Sequence, residues 1–260
     1  ESSELLEWDS NNNIPYFNDM QFDSYLRTTG TGYNGKIGII FKPINEIRLG
    51  ASVHTPTFYN LNDVFETTMY SSVTYDEGDT KNYEALSPYS EYNYDLESPL
   101  RATLSGAFVI AKKGLLSVDY EFVNYGSASL RRGGDGYNFV DENEEITEAY
   151  RSAGNLRVGG ELLATQNISL RAGFELYPSA YNANAFGESQ PNADANMKVY
   201  SAGLGYRNGG FFFDVAYRLT SMETNDLPYP EPPTDFYNMP EMVNYNTTRN
   251  KVLFTLGFKF

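Results

Sequence analysis

The last ten residues read KVLFTLGFKF, and Val252, Phe254, Leu256, Phe258 and Phe260 fall on every second position. Side chains alternate between the two faces of a β-strand, so this spacing predicts a strand whose faces meet different surroundings. Eight earlier segments carry the same period: Tyr33–Phe41, Glu46–Thr55, Leu100–Ala111, Leu115–Tyr125, Asn155–Ala164, Asn167–Tyr177, Lys198–Tyr206 and Phe211–Thr220. In each, one face is Ile, Leu, Val, Ala, Phe or Tyr. The other is charged, small or glycine: Arg48, Ser52 and His54; Arg101, Thr103 and Ser105; Asp119 and Glu121; Arg157 and Glu161; Arg171 and Glu175; Asp214 and Arg218. A soluble β-sandwich also alternates, but its outer face is usually Lys and Thr. Arg and carboxylate at mid-strand fit the polar interior of a barrel better.

Connections alternate in length. Short ones are Lys42-Pro43-Ile44-Asn45, Lys112-Lys113-Gly114, Thr165-Gln166-Asn167 and Asn208-Gly209. Long ones cover about 57–94, 129–150, 178–196 and 221–246, the last containing LPYPEPPTDFYNMPEM. Tight turns at one end and long loops at the other describe an antiparallel transmembrane β-barrel of the outer-membrane type, an all-β fold. Two registers follow. A two-residue turn at Asn208-Gly209 places Tyr206 opposite Phe211, Leu204 opposite Phe213 and Gly205 opposite Phe212. Centring the hairpin before it on Gln166 sets Glu161 opposite Arg171 and Arg157 opposite Glu175, opposite charges that would neutralise each other in a narrow bore.

Composition adjusts this picture without overturning it. Mean hydropathy is -0.47, and no run approaches the roughly 18 apolar residues of a spanning helix. A spanning strand needs only about 9–11 residues, half of them apolar. Net charge is -15, which excludes nucleic acid as a partner, since phosphates demand Lys and Arg clusters. Cysteine is absent, so neither disulfides nor thiolate metal sites are expected. The start, ESSELLEWDS, lacks the basic-then-apolar pattern of a signal peptide. NNNIPYFNDMQFD reads as loop. Nine strands is odd, whereas bacterial single-chain barrels close with an even number; either a strand precedes Tyr33 or the barrel extends beyond this sequence.

KPINEIRLGASVHTPTFYNLND, SPLRATLSGAFVIAKKGLLSVDYEFVNYG and the closing KVLFTLGFKF resemble the FadL/TodX family, outer-membrane transporters of long-chain fatty acids and other hydrophobic compounds. The resemblance runs from about Gly30 onward. It implies a barrel of fourteen strands with an N-terminal plug, of which this chain supplies the sixth to the fourteenth. The plug, its hatch motif and the kinked exit strand would then lie in missing N-terminal strands of the same barrel. Residues 1–30 would be the remnant of an extracellular loop, and 31–260 the C-terminal strands. Segments 1–30 and 57–94 would form the family's outer capture groove.

PTFYNLNDVFETTMY offers Phe58, Leu61, Val64, Phe65 and Met69, and positions 61, 64, 65 and 69 share a helical face. Such a face either packs on a neighbouring loop or takes an amphipath from outside. Arg48, Arg101 and Lys36 point into the expected bore; they serve either a carboxylate head group or structural charge pairs. His54, the only histidine, has no carboxylate cluster at ligand spacing, so no metal is expected. Asp119, Glu121 and Asp214 lack an accompanying nucleophile or phosphate loop, so no catalytic residue and no cofactor are expected. The acidic loops contain no EF-hand pattern. The expected function is passive uptake of hydrophobic small molecules, such as long-chain fatty acids, across the outer membrane of a Gram-negative cell. The expected partners are outer-membrane lipid and a hydrophobic ligand or detergent. A family barrel acting as a binding or assembly subunit for another protein, and a soluble sandwich, are the alternatives.

Overall fold

The structure, a computed structural model, describes residues 2–10, 14–75, 78–184, 190–226 and 242–259. The chain divides into two compact units. The first comprises Glu1–Tyr33, Phe58–Glu97 and Leu130–Phe139; the second comprises Asn34–Thr57, Ser98–Ser129 and Val140–Phe260.

The second unit is built on a nine-stranded antiparallel sheet. Its strands are β3 (Lys36–Phe41), β4 (Ile47–His54), β8 (Arg101–Ile110), β9 (Gly114–Asn124), β11 (Ser152–Leu163), β12 (Ile168–Tyr177), β13 (Met197–Asn208), β14 (Phe211–Asp226) and β15 (Val243–Phe258). They are neighbours in chain order, β3-β4-β8-β9-β11-β12-β13-β14-β15. All nine alternating segments of the sequence are here. One face of this sheet exposes Ile37, Ile39, Leu104, Leu116, Leu170, Phe254 and Leu256. Near the short turns it adds an aromatic run: Tyr206 against Phe211 at 6.4 Å and Phe211 against Phe258 at 5.6 Å. The other face holds every ion pair of this unit among the described residues.

The short connections lie between the expected strands. β11 and β12 pair with Glu161 opposite Arg171 and Arg157 opposite Glu175. The β13–β14 hairpin differs from expectation by two residues. Asn208 pairs with Phe211, Leu204 with Val215 and Gly205 with Asp214. The turn is therefore Gly209-Gly210, with Gly209 at φ +58; a residue without Cβ enters that region most easily. A slip of two keeps every side chain on its face, so the pattern alone could not separate the two registers.

The first unit corrects the sequence reading more deeply. Segment 57–94, expected as loop with one helical face, is strand. It contains β5 (Phe58–Thr74), β6 (Thr80–Leu86) and β7 (Ser90–Glu97). Residues 1–30, expected as the remnant of a loop, contain β1 (Ser2–Trp8) and most of β2 (Phe17–Tyr33). With β10 (Ser129–Arg131) they form a six-stranded sheet in the order β1-β2-β5-β7-β10, with β6 also on β5. The reason is pairing. β5 is rich in Phe, Tyr, Thr and Val, which favour strands. Its backbone is satisfied by β2 on one side and by β7 then β6 on the other. The two described ends of 221–246 are also strand, because β14 and β15 stay paired out to Asp226 and Val243. The Pro-rich stretch expected as loop there, through residue 241, lies outside the described residues.

A helix α1 (Val140–Ala149) and the segment 178–184 with 190–196 follow the nine-stranded sheet's longer connections. Arg151 fastens them, Nη2 donating to the Ala193 carbonyl at 2.7 Å and Nε to the Ser179 carbonyl at 3.3 Å. Val123, Ala149, Ala153, Ala193 and Val199 are buried. Three of these, Val123, Ala153 and Val199, stand on the ionic face at one end of their strands.

Candidate functional site: a charged face and a greasy face

The ionic face is held together by a strand that contributes almost nothing to it. On this face β13 presents Ser201, Gly203 and Gly205, so side chains from β12 and β14 reach each other across it. Arg171 on β12 takes Glu161 on β11 at 2.5 Å and Asp214 on β14 at 2.6 Å. A Cβ at Gly205 would lie 2.5 Å from Asp214 Oδ1. Toward the other end, Arg218 on β14 donates to Glu175 at 3.0 Å. Tyr177 also donates to Glu175, at 2.6 Å, and accepts from Arg157 at 3.2 Å. Arg157 in turn pairs with Glu121 at 3.2 Å, and Asn155 donates to the same carboxylate at 2.9 Å. Arg157 thus faces Glu175 in register but bonds Glu121, with Tyr177 as the bridge.

Between these two networks runs a trough of about 450 Å³ whose lining includes Ser117, Gly159, Gly173, Ser201 and Gly203. Its walls are the two charge networks and its floor is almost bare backbone. Charged pairs in such a place need each other, because an unpaired one would carry an uncompensated desolvation cost. The sequence marked the individual charges but gave no signal for which non-adjacent strands they join, apart from the small residues on β13.

Of the basic residues marked in the sequence, Lys36, His54 and Arg101 lie directly opposite one another on β3, β4 and β8. Arg48 lies elsewhere, opposite Ala107, six residues along the strand from His54, or roughly 20 Å. The structure does not bring Arg48 and Arg101 together.

The five apolar residues marked on segment 57–94 separate because the segment is a strand. Leu61, Phe65 and Met69 share one face of the six-stranded sheet; Phe58 and Val64 stand on the other. Leu61 lies opposite Tyr94, Phe65 opposite Leu26, and Met69 opposite Phe22, which lies opposite Leu5. The result is an apolar strip across four strands, with Phe22, Phe65 and Met69 exposed. Leu5, Phe22 and Leu26 escaped the sequence reading, though Phe22, Ser24 and Leu26 show a weak period of two. Inside the strip Tyr94 donates to Asp63 Oδ2 at 3.0 Å. Burial, then that bond and the nearby charge of Asp63, push the Tyr94 phenol up to about 12, so it stays a neutral donor.

A family model described as "Outer membrane protein transport protein (OMPP1/FadL/TodX)" matches residues 10–260. The chain belongs to this family. Its members are outer-membrane transport proteins, and the family is one of transporters rather than enzymes. The nine-stranded sheet is accordingly part of a barrel wall, with an apolar face and an ionic face. A solved structure titled "Crystal structure of a Pseudomonas aeruginosa FadL homologue" is similar over 98% of this chain and 76% of that one, at 14% identity and TM-score 0.47. No curated protein matches the chain.

Proposed function

We propose that this FadL/TodX-family chain serves passive uptake of hydrophobic small molecules, the class that includes long-chain fatty acids, through the outer membrane of a Gram-negative cell. The observation that carries the reading is the segregation of the nine-stranded sheet: hydrocarbon-compatible side chains on one face, paired charges around a small-floored trough on the other. A wall of this kind separates lipid from an aqueous bore without any energy source. The first unit supplies the capturing surface through Leu61, Phe65 and Met69. The second supplies the passage, where Lys36, His54 and Arg101 offer donors to a polar head group.

Removing Phe65 and Met69 from the apolar strip tests this. Each buried side chain of this size contributes about 1.5–3 kcal/mol on full transfer from water, so the Phe65→Asp, Met69→Asp double variant should slow uptake of a hydrophobic fluorescent probe about tenfold or more. Cells carrying the full gene provide the assay, with outer-membrane level and heat-modifiable gel mobility as folding controls. Uptake at the unaltered rate by a correctly folded variant would overturn the proposal.

A further inference from the structure

The charge of the molecule is unevenly placed. Net charge is -15 overall, and the first unit alone carries -12, with four basic against sixteen acidic residues. Its apolar strip follows that bias. Two carboxylates share the strip's face of the sheet, Glu7 on β1 and Asp63 on β5, placed there by pairing with Met20 and Thr28. Each has one oxygen, Glu7 Oε1 and Asp63 Oδ1, enclosed by protein and without a hydrogen-bond partner.

Few cations of this unit share the strip's face. Among the described residues the one basic side chain on this face is Lys81, opposite Val73 at the far end of β5. It is already committed to Asp79 at 3.6 Å and to the Tyr75 ring at 5.3 Å. Val73 is ten residues from Asp63, roughly 33 Å along the strand, and two residues from Ser71, the register of Glu7, which stands three strands away from Lys81, roughly 14 Å across the sheet. Arg27 lies on the opposite face, opposite Val64. Arg131 and Arg132 go to Glu97 and Asp95, which are on the opposite face too.

A fatty carboxylate laid on Leu61, Phe65 and Met69 would therefore bring a negative charge beside Asp63 with its head at one end of the strip, or toward Glu7 with its head at the other, since Glu7 is in register with Ser71, eight residues or roughly 26 Å along β5 from Asp63. Among the described residues neither carboxylate has an ion-pair partner within this unit. An alcohol or an ammonium head brings a donor and no such repulsion. Like-charge juxtaposition is a strong means of rejecting a competitor with the same apolar body. We propose that this strip is a head-group filter: it captures long-chain amphipaths whose head is a non-anionic hydrogen-bond donor, an amine or an alcohol, and turns away ionised carboxylates. The proposal rests on the reading of the chain as a channel for hydrophobic compounds and narrows its substrate class.

Three probes with one tail length make the test: dodecylamine, 1-dodecanol and dodecanoate. Each displaces the fluorescent probe 1-naphthylphenylamine from the full protein in nanodiscs of zwitterionic lipid, at a pH where the amine is protonated and the acid ionised. The amine and the alcohol should compete about tenfold better than dodecanoate at low salt, and the gap between amine and dodecanoate should narrow at about 0.5 M salt, where the screening length falls to a few ångströms. Asp63→Asn with Glu7→Gln should bring dodecanoate toward the alcohol, while Phe65→Asp should weaken all three. The salt series uses the wild type, so it stands even if the double variant folds poorly. Dodecanoate competing as well as 1-dodecanol, no displacement by any of the three, or a gap that salt leaves unchanged would overturn the filter. Uptake by cells is measured separately. Head-group discrimination without uptake would overturn the channel reading alone; uptake without discrimination would overturn the filter alone.

Discussion

A methyl group at position 205 would lie 2.5 Å from both Asp214 Oδ1 and Ser169 Oγ, and 3.2 Å from Arg171 Nη1. The backbone of β13 would accept any residue there, so the glycine is explained by the ion pair that passes over it. Gly205→Val should break the Arg171–Asp214 contact. The pair is partly exposed, at 31% and 20%, so the expected loss is about 1–3 kcal/mol rather than that of a fully buried pair. Gly203→Ala is the control: its Cβ would meet atoms no closer than 3.4 Å, and it should be neutral or slightly stabilising. Chemical unfolding in lipid vesicles compares the two, and equal costs would show that the ion pair is not what excludes a side chain. A second residue responds to pH. Asp135 accepts from the Tyr137 backbone N–H at 3.0 Å and from the Tyr92 hydroxyl at 3.0 Å, and these bonds hold its carboxyl below the ordinary 3.8. Its contribution to stability is present above that ordinary value and is lost as pH falls through the lowered one. Protection from hydrogen exchange at residues 133–139, taken relative to the intrinsic rate at each pH, should therefore fall on acidification below about pH 4, and Asp135→Asn should remove that dependence.

The hairpin of β13 and β14 sets a prediction for an element. Gly209 is at φ +58, whereas Asn208 is a paired strand residue opposite Phe211. A side chain at 209 meets the left-handed penalty of about 1–2 kcal/mol. Gly209→Val should thus lower the unfolding midpoint while Asn208→Ala leaves it nearly unchanged; the reverse order would restore the register centred on Asn208-Gly209. The contrast also shows which elements could be read from the chain. The nine strands of the larger sheet were legible because each separates two unlike surroundings, and that difference is written at every second position. The strands of the smaller sheet were not. β2 and β5 carry Thr, Ser, Asn and Tyr on both faces, and positions 61, 64, 65 and 69 fit a helix as well as a strand until the partners are known. The Glu161–Arg171 pair was legible because a short turn fixes it locally. The Arg171–Asp214 and Arg218–Glu175 contacts cross a strand, and only the small residues of β13 hinted that anything could pass.

For the molecule as a whole, the decisive quantity is the difference between its two solvents. Phe254 and Thr255 are adjacent on β15; Phe254 is 70% exposed on the apolar face, and Thr255 lies opposite Asp214 on the ionic face. An arginine at 254 must enter hydrocarbon, which costs about 2–4 kcal/mol near the middle of a bilayer and less toward its edges. An arginine at 255 enters the bore beside a carboxylate, where a cross-strand pair of opposite sign offsets the change to within about 1 kcal/mol. Phe254→Arg should therefore fold poorly into vesicles, with less of the compact, heat-modifiable form, while Thr255→Arg should behave as the wild type. A sandwich in water predicts the opposite order, since replacing an exposed phenylalanine there is nearly free and crowding Arg171 with a second guanidinium is not. The same pair of variants separates transport from folding. Thr255→Arg changes the charge lining the passage and should alter the uptake of charged probes more than that of neutral ones, at unchanged amounts of folded protein.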